Sequence, residues 1–524
     1  MAQSKGVMLN KLKQKKTLGF YGLLFFITIL YDLTLKSQSS IVVNSYHQYA
    51  NIDYPWKNNN IQQSKNMGFV VTPEAVKDYQ HFFGSSSQKK ASVKYILTTS
   101  SAVKDIVAVD VQKTAFPKKY HAKVVFVDWE VDLALLEVQD KSLFDQLKPI
   151  SFTEDLSLRD NLSVHSLKVN NNLEINLARF SKIEVKSTRY SSYPLTIFHF
   201  KTQKNGLGRG EGIFKGKSLA GLSYSQDSQY LYVTPAFVIK KFLADYHKNG
   251  SSYSGFPWLG IETQKLTNPI LRQSLKLTTP HVGVFISRVD PNSPFYNIIK
   301  PHDVLLSIAG ENIRSDQTIE NHTYKQRLSY HSMLNHLGTG QDLTLVFSSS
   351  GKIKKASKKL NRYDSNRGAI RFYREGRREE FLVYGGIIFQ TLSLDYLKTW
   401  GSLWFKNAPT HFLYFWKYKN FFSSQKKIVF IPRVFPDKFN KGFEKFSNKI
   451  VKKVNDKDIY DLNSLRKALL NPVENQDGDL FTVINLAYAG GKIVLDHKLL
   501  RQAAQRISKN YSMKEFYDSH FIKN

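Results

Sequence analysis

Short apolar runs separated by polar turns dominate the chain from Gly68 to about Tyr246. Each run is four to seven residues long, the usual length of a strand and too short for a buried helix. The spacing therefore predicts an all-β sandwich or barrel, closed by a helix with Phe237, Ile239 and Phe242 on its apolar face. The runs cover residues 68–71, 93–98, 105–109, 121–127, 132–138, 195–200, 218–222 and 230–233.

The chain is long enough for about three domains, and it has no cysteine. Its 524 residues compare with roughly 100–200 residues per domain. Disulfide frameworks, iron–sulfur clusters and thiol nucleophiles are excluded, so 36 Phe, 28 Tyr and 6 Trp must supply the cores. His331 and His336 are five positions apart and no H-E-x-x-H motif occurs. We therefore predict no metal site and no cofactor.

The net charge favours anionic partners without choosing among them. Lys and Arg number 75 against 43 Asp and Glu, which gives +32. The basic residues are spread along the chain, and no zinc-finger, helix-turn-helix or RNA-recognition motif accompanies them. Nucleic acid is thus an unlikely partner on this evidence.

The first 39 residues have the pattern of an export segment. Five lysines precede an apolar run from Leu18 to Tyr31, and Asp32 ends the run. The run is short for a membrane span, which needs about 20 apolar residues. Ser37 and Ser39 form a small-x-small cleavage pattern. A cleaved signal peptide and a retained membrane anchor both remain open, and both predict an exported protein.

Composition divides the remainder into units and linkers. Residues 40–66 are polar and rich in Asn and Gln, which predicts a linker before the β-rich unit at 67–248. Residues 256–348 and 376–515 each mix strands with helices. Residues 349–375 are strongly basic and predict a solvated linker between these two units.

Two segments of the β-rich unit resemble the HtrA/Deg-type serine endopeptidases. Residues 128–138 (DWEVDLALLEV) resemble the strand with the D-L-A-L-L run that carries the triad aspartate, here Asp132. Residues 95–103 (YILTTSSAV) resemble the I-L-T-N-x-H-V-V segment that carries the triad histidine. The resemblance implies a trypsin-like double β-barrel.

The resemblance also implies a broken catalytic triad. The histidine position falls on Ser101, and the serine position falls on Gly210 in residues 208–214 (GRGEGIF). Acyl transfer needs a nucleophile and a base within hydrogen-bond reach, and neither glycine nor a serine hydroxyl supplies that base near pH 7. Asp132 alone does not catalyse. Backbone N–H groups between Gly208 and Gly210 remain available for an oxyanion-hole-like nest.

The second unit resembles a PDZ domain. Residues 283–289 (GVFISRV) and 303–313 (DVLLSIAGENI) match a central strand and the strand that follows it, in order. In a PDZ domain an extended peptide adds to a strand edge, and loop N–H groups capture its carboxylate. The peptide-binding positions implied by this resemblance are Trp258, Leu259, Gly260 and Ile261.

The third unit resembles a second PDZ-like domain of the longer Deg-type proteases. The match rests on residues 384–389 (YGGIIF), 451–459 and 493–496. An aromatic-rich insert at 400–425 interrupts it. Core, oligomer contact and membrane-surface patch are its possible roles, with core or oligomer contact favoured.

These features predict an exported pseudo-protease rather than an enzyme. We expect a peptide- or protein-binding scaffold, or a chaperone-like quality-control factor, in the periplasm or anchored at a membrane and facing the periplasm. Its expected partners are unfolded proteins or C-terminal peptides, an active protease relative, and further copies of itself, since the resemblance implies trimers. The alternative is an active serine endopeptidase with a rearranged catalytic site.

Overall fold

A computed structural model describes residues 39–72, 93–250, 253–277, 279–364, 367–372, 380–418, 426–488 and 490–513. The predicted export segment therefore lies outside the described residues except for Ser39, and so does the end of the aromatic insert at 419–425. No helix in the described ranges is both long and apolar enough to cross a membrane.

The first structural unit is a closed six-stranded barrel with the strand order β1-β2-β3-β6-β5-β4. A 3-10 turn, Ser100–Val103, follows β3. The strands are β1 (Ser40–His47), β2 (Gln62–Val71), β3 (Tyr95–Thr98), β4 (Ile106–Lys113), β5 (Tyr120–Asp128) and β6 (Leu133–Val138).

The predicted linker at 40–66 is wrong at both ends. β1 is buried along nearly its whole length and pairs with β2 on one side and β4 on the other, so that Ile41 lies between Gly68 and Lys113. β2 already begins at Gln62. The Asn and Gln content concealed the β-branched triplet Ile41, Val42, Val43, which is the part that enters the barrel core.

A second ring of six strands packs against the first barrel. Its order is β11-β8-β9-β10-β13-β12, closed by the β11–β12 pairing, with β7 on the edge of β12. Helix α1 (Ala236–Asn249) follows, and its Phe237, Ile239 and Phe242 enter the core shared by both barrels. The strands are β7 (Ser151–Phe152), β8 (Asn161–Leu167), β9 (Leu173–Lys186), β10 (Leu195–Lys201), β11 (Gly212–Lys215), β12 (Ser218–Gln226) and β13 (Leu231–Pro235). The fold is thus the expected trypsin-like double barrel.

The next unit is built on a sheet with the order β15-β16-β17-β21-β22, and β18 pairs with β17. A hairpin, β19–β20, and the short helices α2 (Pro269–Ser274) and α3 (Ser332–His336) complete it. The strands are β14 (Pro257–Trp258), β15 (Ile261–Gln264), β16 (Val284–Val289), β17 (Val304–Ile308), β18 (Glu311–Asn312), β19 (Thr318–Asn321), β20 (Gln326–Ser329), β21 (Asp342–Ser349), β22 (Lys352–Lys359) and β23 (Asn361–Arg362).

The predicted basic linker at 349–375 is wrong over its first part. Lys352–Lys359 forms β22, which pairs with β21 along all eight residues. The lysines stay exposed because β22 is the last strand of the sheet. Charged side chains on an edge strand prevent pairing with other chains, which explains why a strand has the composition of a linker.

The last unit is a sheet with the order β24-β25-β26-β27-β30-β29, to which β28 and β31 add at the sides. The strands are β24 (Phe381–Tyr384), β25 (Ile387–Thr391), β26 (Val429–Ile431), β27 (Lys449–Val454), β28 (Lys457–Asp458), β29 (Val473–Glu474), β30 (Leu480–Leu486) and β31 (Lys492–Asp496). The helices are α4 (Leu394–Leu397), α5 (Trp404–Asn407), α6 (Thr410–Lys417), α7 (Leu462–Leu469) and α8 (Leu500–Asn510).

Polar side chains fasten the middle unit to the double barrel. Asn335 at the end of α3 is fully buried and accepts a hydrogen bond from the Thr196 N–H at 2.6 Å. Its amide nitrogen donates to the Tyr193 hydroxyl at 3.1 Å. The Lys241 ammonium reaches from α1 to the Leu337 carbonyl. The middle unit is therefore held close to the second barrel through several buried hydrogen bonds.

Candidate functional site: the surroundings of Asp132 and Gly210 and the two glycine loops

Asp132 lies in the turn before β6, buried and with a positive φ of +56°. Its Oδ1 accepts a hydrogen bond from the Ser101 N–H at 3.0 Å and another from the Ser100 hydroxyl. The Ser101 hydroxyl instead contacts Thr99 Oγ1 at 3.0 Å. The structure thus brings Ser101 to Asp132 through its backbone, while the side chain that meets the carboxylate is that of Ser100, which sequence reasoning did not single out.

No base stands beside the Asp132 carboxylate among the described contacts. Burial raises the pKa of Asp132 to about 6, and the hydrogen bonds from Ser100 and Ser101 only partly oppose this. The nearest histidine in sequence, His121, is exposed on β5 and lies 3.4 Å from Asp110 instead. Neither the Ser100 hydroxyl nor the Ser101 N–H, which bond this carboxylate, is a group that accepts a proton from a nucleophile near pH 7.

Gly210 occupies the nucleophile position in a backbone conformation that favours glycine. Its φ is +87°, and a Cβ added there would lie 2.7 Å from the Met67 carbonyl oxygen. Its N–H donates to the Ser223 carbonyl at 3.0 Å. A serine at this position would require the chain to move, so the loop is shaped for the residue it has.

The expected oxyanion-hole-like nest is filled by Glu211. This side chain is 5% exposed, and its Oε2 accepts the N–H groups of Gly208 at 2.7 Å and Arg209 at 2.8 Å. The Ser223 hydroxyl donates to the same oxygen. Because the Gly210 N–H is also used, the expectation of free N–H groups between Gly208 and Gly210 is wrong. The sequence contained one signal for this arrangement. Glu211 is an acidic residue within the glycine-rich loop, so its own carboxylate is available to the loop N–H groups.

The last unit reaches the barrel next to Asp132. Tyr190 lies there, and burial together with the Asp132 charge raises the pKa of Tyr190 to about 12. The ammonium groups of Lys104 and Lys398 lie over its ring, 5.7 and 5.2 Å from the centroid. Lys104 also pairs with Asp395 at 3.0 Å. Side chains of the last unit therefore cover the loop that adjoins the Asp132 pocket.

The first glycine loop, residues 258–261, precedes an edge strand. Leu259 and Ile261 are buried in the core of the middle unit, and Gly260 has a φ of +68°. The Leu259 carbonyl accepts the Ser293 hydroxyl at 2.7 Å, whereas no described group accepts the Gly260 N–H. Trp258 packs on Tyr363 and the barrel core instead, so it lies outside the set that shapes the loop.

The strand that follows this loop has an open side. β15 is the first strand in its sheet and pairs with β16 alone. At Thr263 the edge is partly covered, since the Gln317 amide donates to the Thr263 carbonyl at 2.8 Å and the Tyr330 hydroxyl lies 3.1 Å from Thr263 Oγ1. Between Gly260 and Thr263, none of the strands that the structure describes pairs with this edge.

The second glycine loop, Gly385 and Gly386, lies in a closed arrangement. β24 folds back directly onto β25, with Tyr384 opposite Ile387, while β26 pairs with the other side of β25. The buried Asn440 amide donates to the Gly385 carbonyl at 2.8 Å. Both edges of β25 are therefore occupied by the chain's own strands. In the first loop, by contrast, the preceding strand β14 pairs with β23 and not with β15, the strand that follows the loop.

Comparison with known proteins gives the following matches. A family described as PDZ domain matches residues 370–518. The putative mitochondrial protease Do-like 3 of Arabidopsis thaliana is 24% identical over 88% of this chain and 78% of its own length. The chloroplastic protease Do-like 2 of the same plant is 25% identical over 71% of this chain and 61% of its own length. The solved structure of the HtrA-type protease AlgW with decapeptide covers 64% of this chain and 98% of that one, at 14% identity and a TM-score of 0.45.

Proposed function

Because this chain is a homologue of the HtrA/Deg-type trypsin-like proteases with a PDZ domain, we propose that it is a pseudo-protease. Its role is to hold peptides or unfolded segments of proteins as a scaffold or chaperone-like factor. The observation that carries this proposal is the Glu211 carboxylate, which occupies the N–H groups that a transition-state oxyanion would need.

The other positions of the centre support the same conclusion. Gly210 has no nucleophile, and the Asp132 carboxylate is bonded to Ser100 and Ser101 in place of an imidazole. Loss of nucleophile and base removes most of the rate enhancement of such an enzyme. Because Glu211 occupies the oxyanion position, the loop also cannot supply the residual rate enhancement that an oxyanion hole provides without the triad.

The first glycine loop is the peptide site of the proposal. The Gly260 N–H is available to a terminal carboxylate, and the edge of β15 is available to an extended backbone. The second glycine loop offers no such edge. The proposal therefore assigns ligand binding to residues 259–263 of the middle unit.

Proteolysis is tested with the full chain and unfolded casein, beside Asp132→Ala and a trypsin-like protease as positive control. We expect no cleavage by either form and no labelling by a fluorophosphonate. Cleavage that disappears in Asp132→Ala would establish the active serine endopeptidase and overturn the proposal. Suppression of casein aggregation without cleavage would support the scaffold role.

Peptide binding is tested separately with peptides that end in an apolar residue, each as free acid and as C-terminal amide. We expect the acid to bind at least tenfold more tightly, because the amide lacks the charge that the loop N–H captures. Gly260→Val should abolish the difference, since its Cβ would lie 2.7 Å from Ser293 Cβ. Equal affinity of acid and amide would contradict a carboxylate site.

Export belongs to the proposal as well, with the chain either free in the periplasm or anchored and facing it, alone or as an oligomer. The lysine-flanked apolar run of residues 1–39 is the support for this location. Fractionation of cells, with protease added outside the inner membrane, tests it. A chain protected from that protease would contradict export.

A further inference from the structure

One stretch of the last unit contains no acidic residue. Between Asp395 and Asp437 lie 41 residues, where the overall frequency of 43 acids in 524 residues would give about three. The same stretch carries seven basic residues and most of the aromatic insert. The basic residues are Lys398, Lys406, Lys417, Lys419, Lys426, Lys427 and Arg433.

The stretch folds with a core on one side and an exposed face on the other. Phe412 and Phe415 on α6 are buried among the side chains of the last unit. Tyr414 and Lys417 are exposed on the opposite side of the same helix, three positions apart. Among its described residues, 400–418, the aromatic insert is therefore core in part, as the sequence favoured, and surface in part.

Helix α5 adds a second set of exposed side chains. Leu403 is 50% exposed and Phe405 is 52% exposed, which is unusual for residues of this size, and Lys406 is exposed beside them. The Trp404 ring contacts the Trp416 ring at 5.4 Å and so joins α5 to α6. We name the exposed residues Leu403, Phe405, Lys406, Tyr414 and Lys417 the aromatic–basic face.

We propose that the aromatic–basic face docks on the surface of an anionic lipid bilayer. Large apolar and aromatic tips between lysines match the boundary between acyl chains and negatively charged headgroups. A second copy of the chain that docks through the same face is a poor occupant, because a face with two lysines and no carboxylate repels an identical face. The inference is independent of the proposed scaffold function and of the proposed export segment.

The experiment uses full-length protein and preformed vesicles of phosphatidylcholine alone or with about one third phosphatidylserine, separated by sedimentation. We expect the anionic vesicles to raise the partition coefficient roughly tenfold or more, since each lysine near such a surface contributes about a factor of five. The double variant Leu403→Ser, Phe405→Ser should lose at least fivefold of this binding, and Lys406→Gln, Lys417→Gln a similar factor.

The matched control is Ile353→Ser on β22. Ile353 is 74% exposed and lies between Lys352 and Lys354, so it has the same local chemistry at a different place. We expect no change in binding for this variant. Equal binding by all variants would locate vesicle binding elsewhere in the chain and overturn the proposal. The proposal would also be overturned, in favour of an acidic protein partner, if the protein bound soluble polyglutamate and the variant Leu403→Ser, Phe405→Ser bound it equally well.

Discussion

Two buried carboxylates, Asp132 and Glu211, lie at the candidate site, and their surroundings differ. Asp132 is the residue that the protease pattern retains, yet it has only Ser100 and the Ser101 N–H as partners, and burial raises its pKa to about 6. Glu211 departs from the pattern, yet it accepts three hydrogen bonds. The residue that looks catalytic is therefore a cost to the fold, and the residue that looks foreign stabilises it.

This difference shows how a loop whose N–H groups converge on one point can be stabilised by its own side chain. A loop with N–H groups converging on one point is unfavourable when no anion or water fills it. Glu211 supplies the anion from within. Asp132 is less well compensated, because the hydrogen bonds from Ser100 and Ser101 only partly oppose the effect of burial on its carboxylate.

The largest expected effect is that of Glu211→Ala. The variant leaves the N–H groups of Gly208 and Arg209 and the Ser223 hydroxyl without their acceptor, at a cost of about 4 kcal/mol in the free energy of unfolding. Urea unfolding followed by circular dichroism measures it. Glu211→Gln, which keeps an acceptor oxygen, should cost about half as much, and a loss below about 1 kcal/mol for the alanine variant would refute the stabilising role.

Asp132→Asn should stabilise the protein, and only above about pH 4. Since the folded pKa of about 6 exceeds the ordinary value, ionisation is disfavoured in the folded state, and wild-type stability falls as pH rises from about 4 to 6. The asparagine variant escapes this loss, a gain of up to about 3 kcal/mol at pH 7.5 and none at pH 4. Unfolding at both pH values measures the difference, and an equal gain at both would contradict the raised pKa.

Rebuilding the triad should fail. In Ser101→His with Gly210→Ser, the new serine carries a strained positive φ and a Cβ near the Met67 carbonyl, at a cost of about 2 kcal/mol. Glu211 still occupies the N–H groups, so we expect no fluorophosphonate labelling. Labelling that appears without any change at Glu211 would show that the loop opens more easily than its contacts imply. The same double variant with Glu211→Gly is the informative companion.

The smallest expected effect distinguishes the two serines beside Asp132. Ser100→Ala removes a hydroxyl that bonds the carboxylate, and should cost about 1 kcal/mol and raise the pKa of Asp132 further. Ser101→Ala is the matched control, because its hydroxyl contacts Thr99 instead. Thermal unfolding of both variants at pH 7.5 gives the comparison, and equal losses would place the two hydroxyls in the same role.

Much of the fold follows from pattern, while the site depends on contacts that pattern does not contain. The short apolar runs predicted an all-β sandwich or barrel, and the resemblance to the HtrA/Deg-type endopeptidases implied the double barrel and the positions of Asp132 and Ser101, which the structure brings together. β1 and β22 were mistaken for linkers because polar or basic composition outweighed a few β-branched residues. The sequence does not show that the Glu211 side chain turns back onto its own loop, because residue spacing does not determine side-chain direction.

The closure of the second glycine loop was equally invisible in sequence. In both loops a glycine precedes a strand that begins with a buried isoleucine, Ile261 or Ile387, and the partner of the preceding strand differs. β14 pairs with β23, some hundred positions along the chain, while β24 pairs with its immediate neighbour. Such a choice depends on the surrounding unit, since strand pairing is decided by tertiary context more than by local preference.

The position of β1 has a consequence for the proposed export segment. Ser39 already belongs to the barrel, because its carbonyl accepts the Val70 N–H at 3.0 Å and its hydroxyl donates to the Lys148 carbonyl at 2.7 Å. A signal peptidase that cuts at Ser39 needs that backbone extended in its own cleft, so cutting has to precede the insertion of β1 between β2 and β4. If the segment is retained instead, only residues 32–39 separate the apolar run from β1, so the folded barrel would be held close to the bilayer.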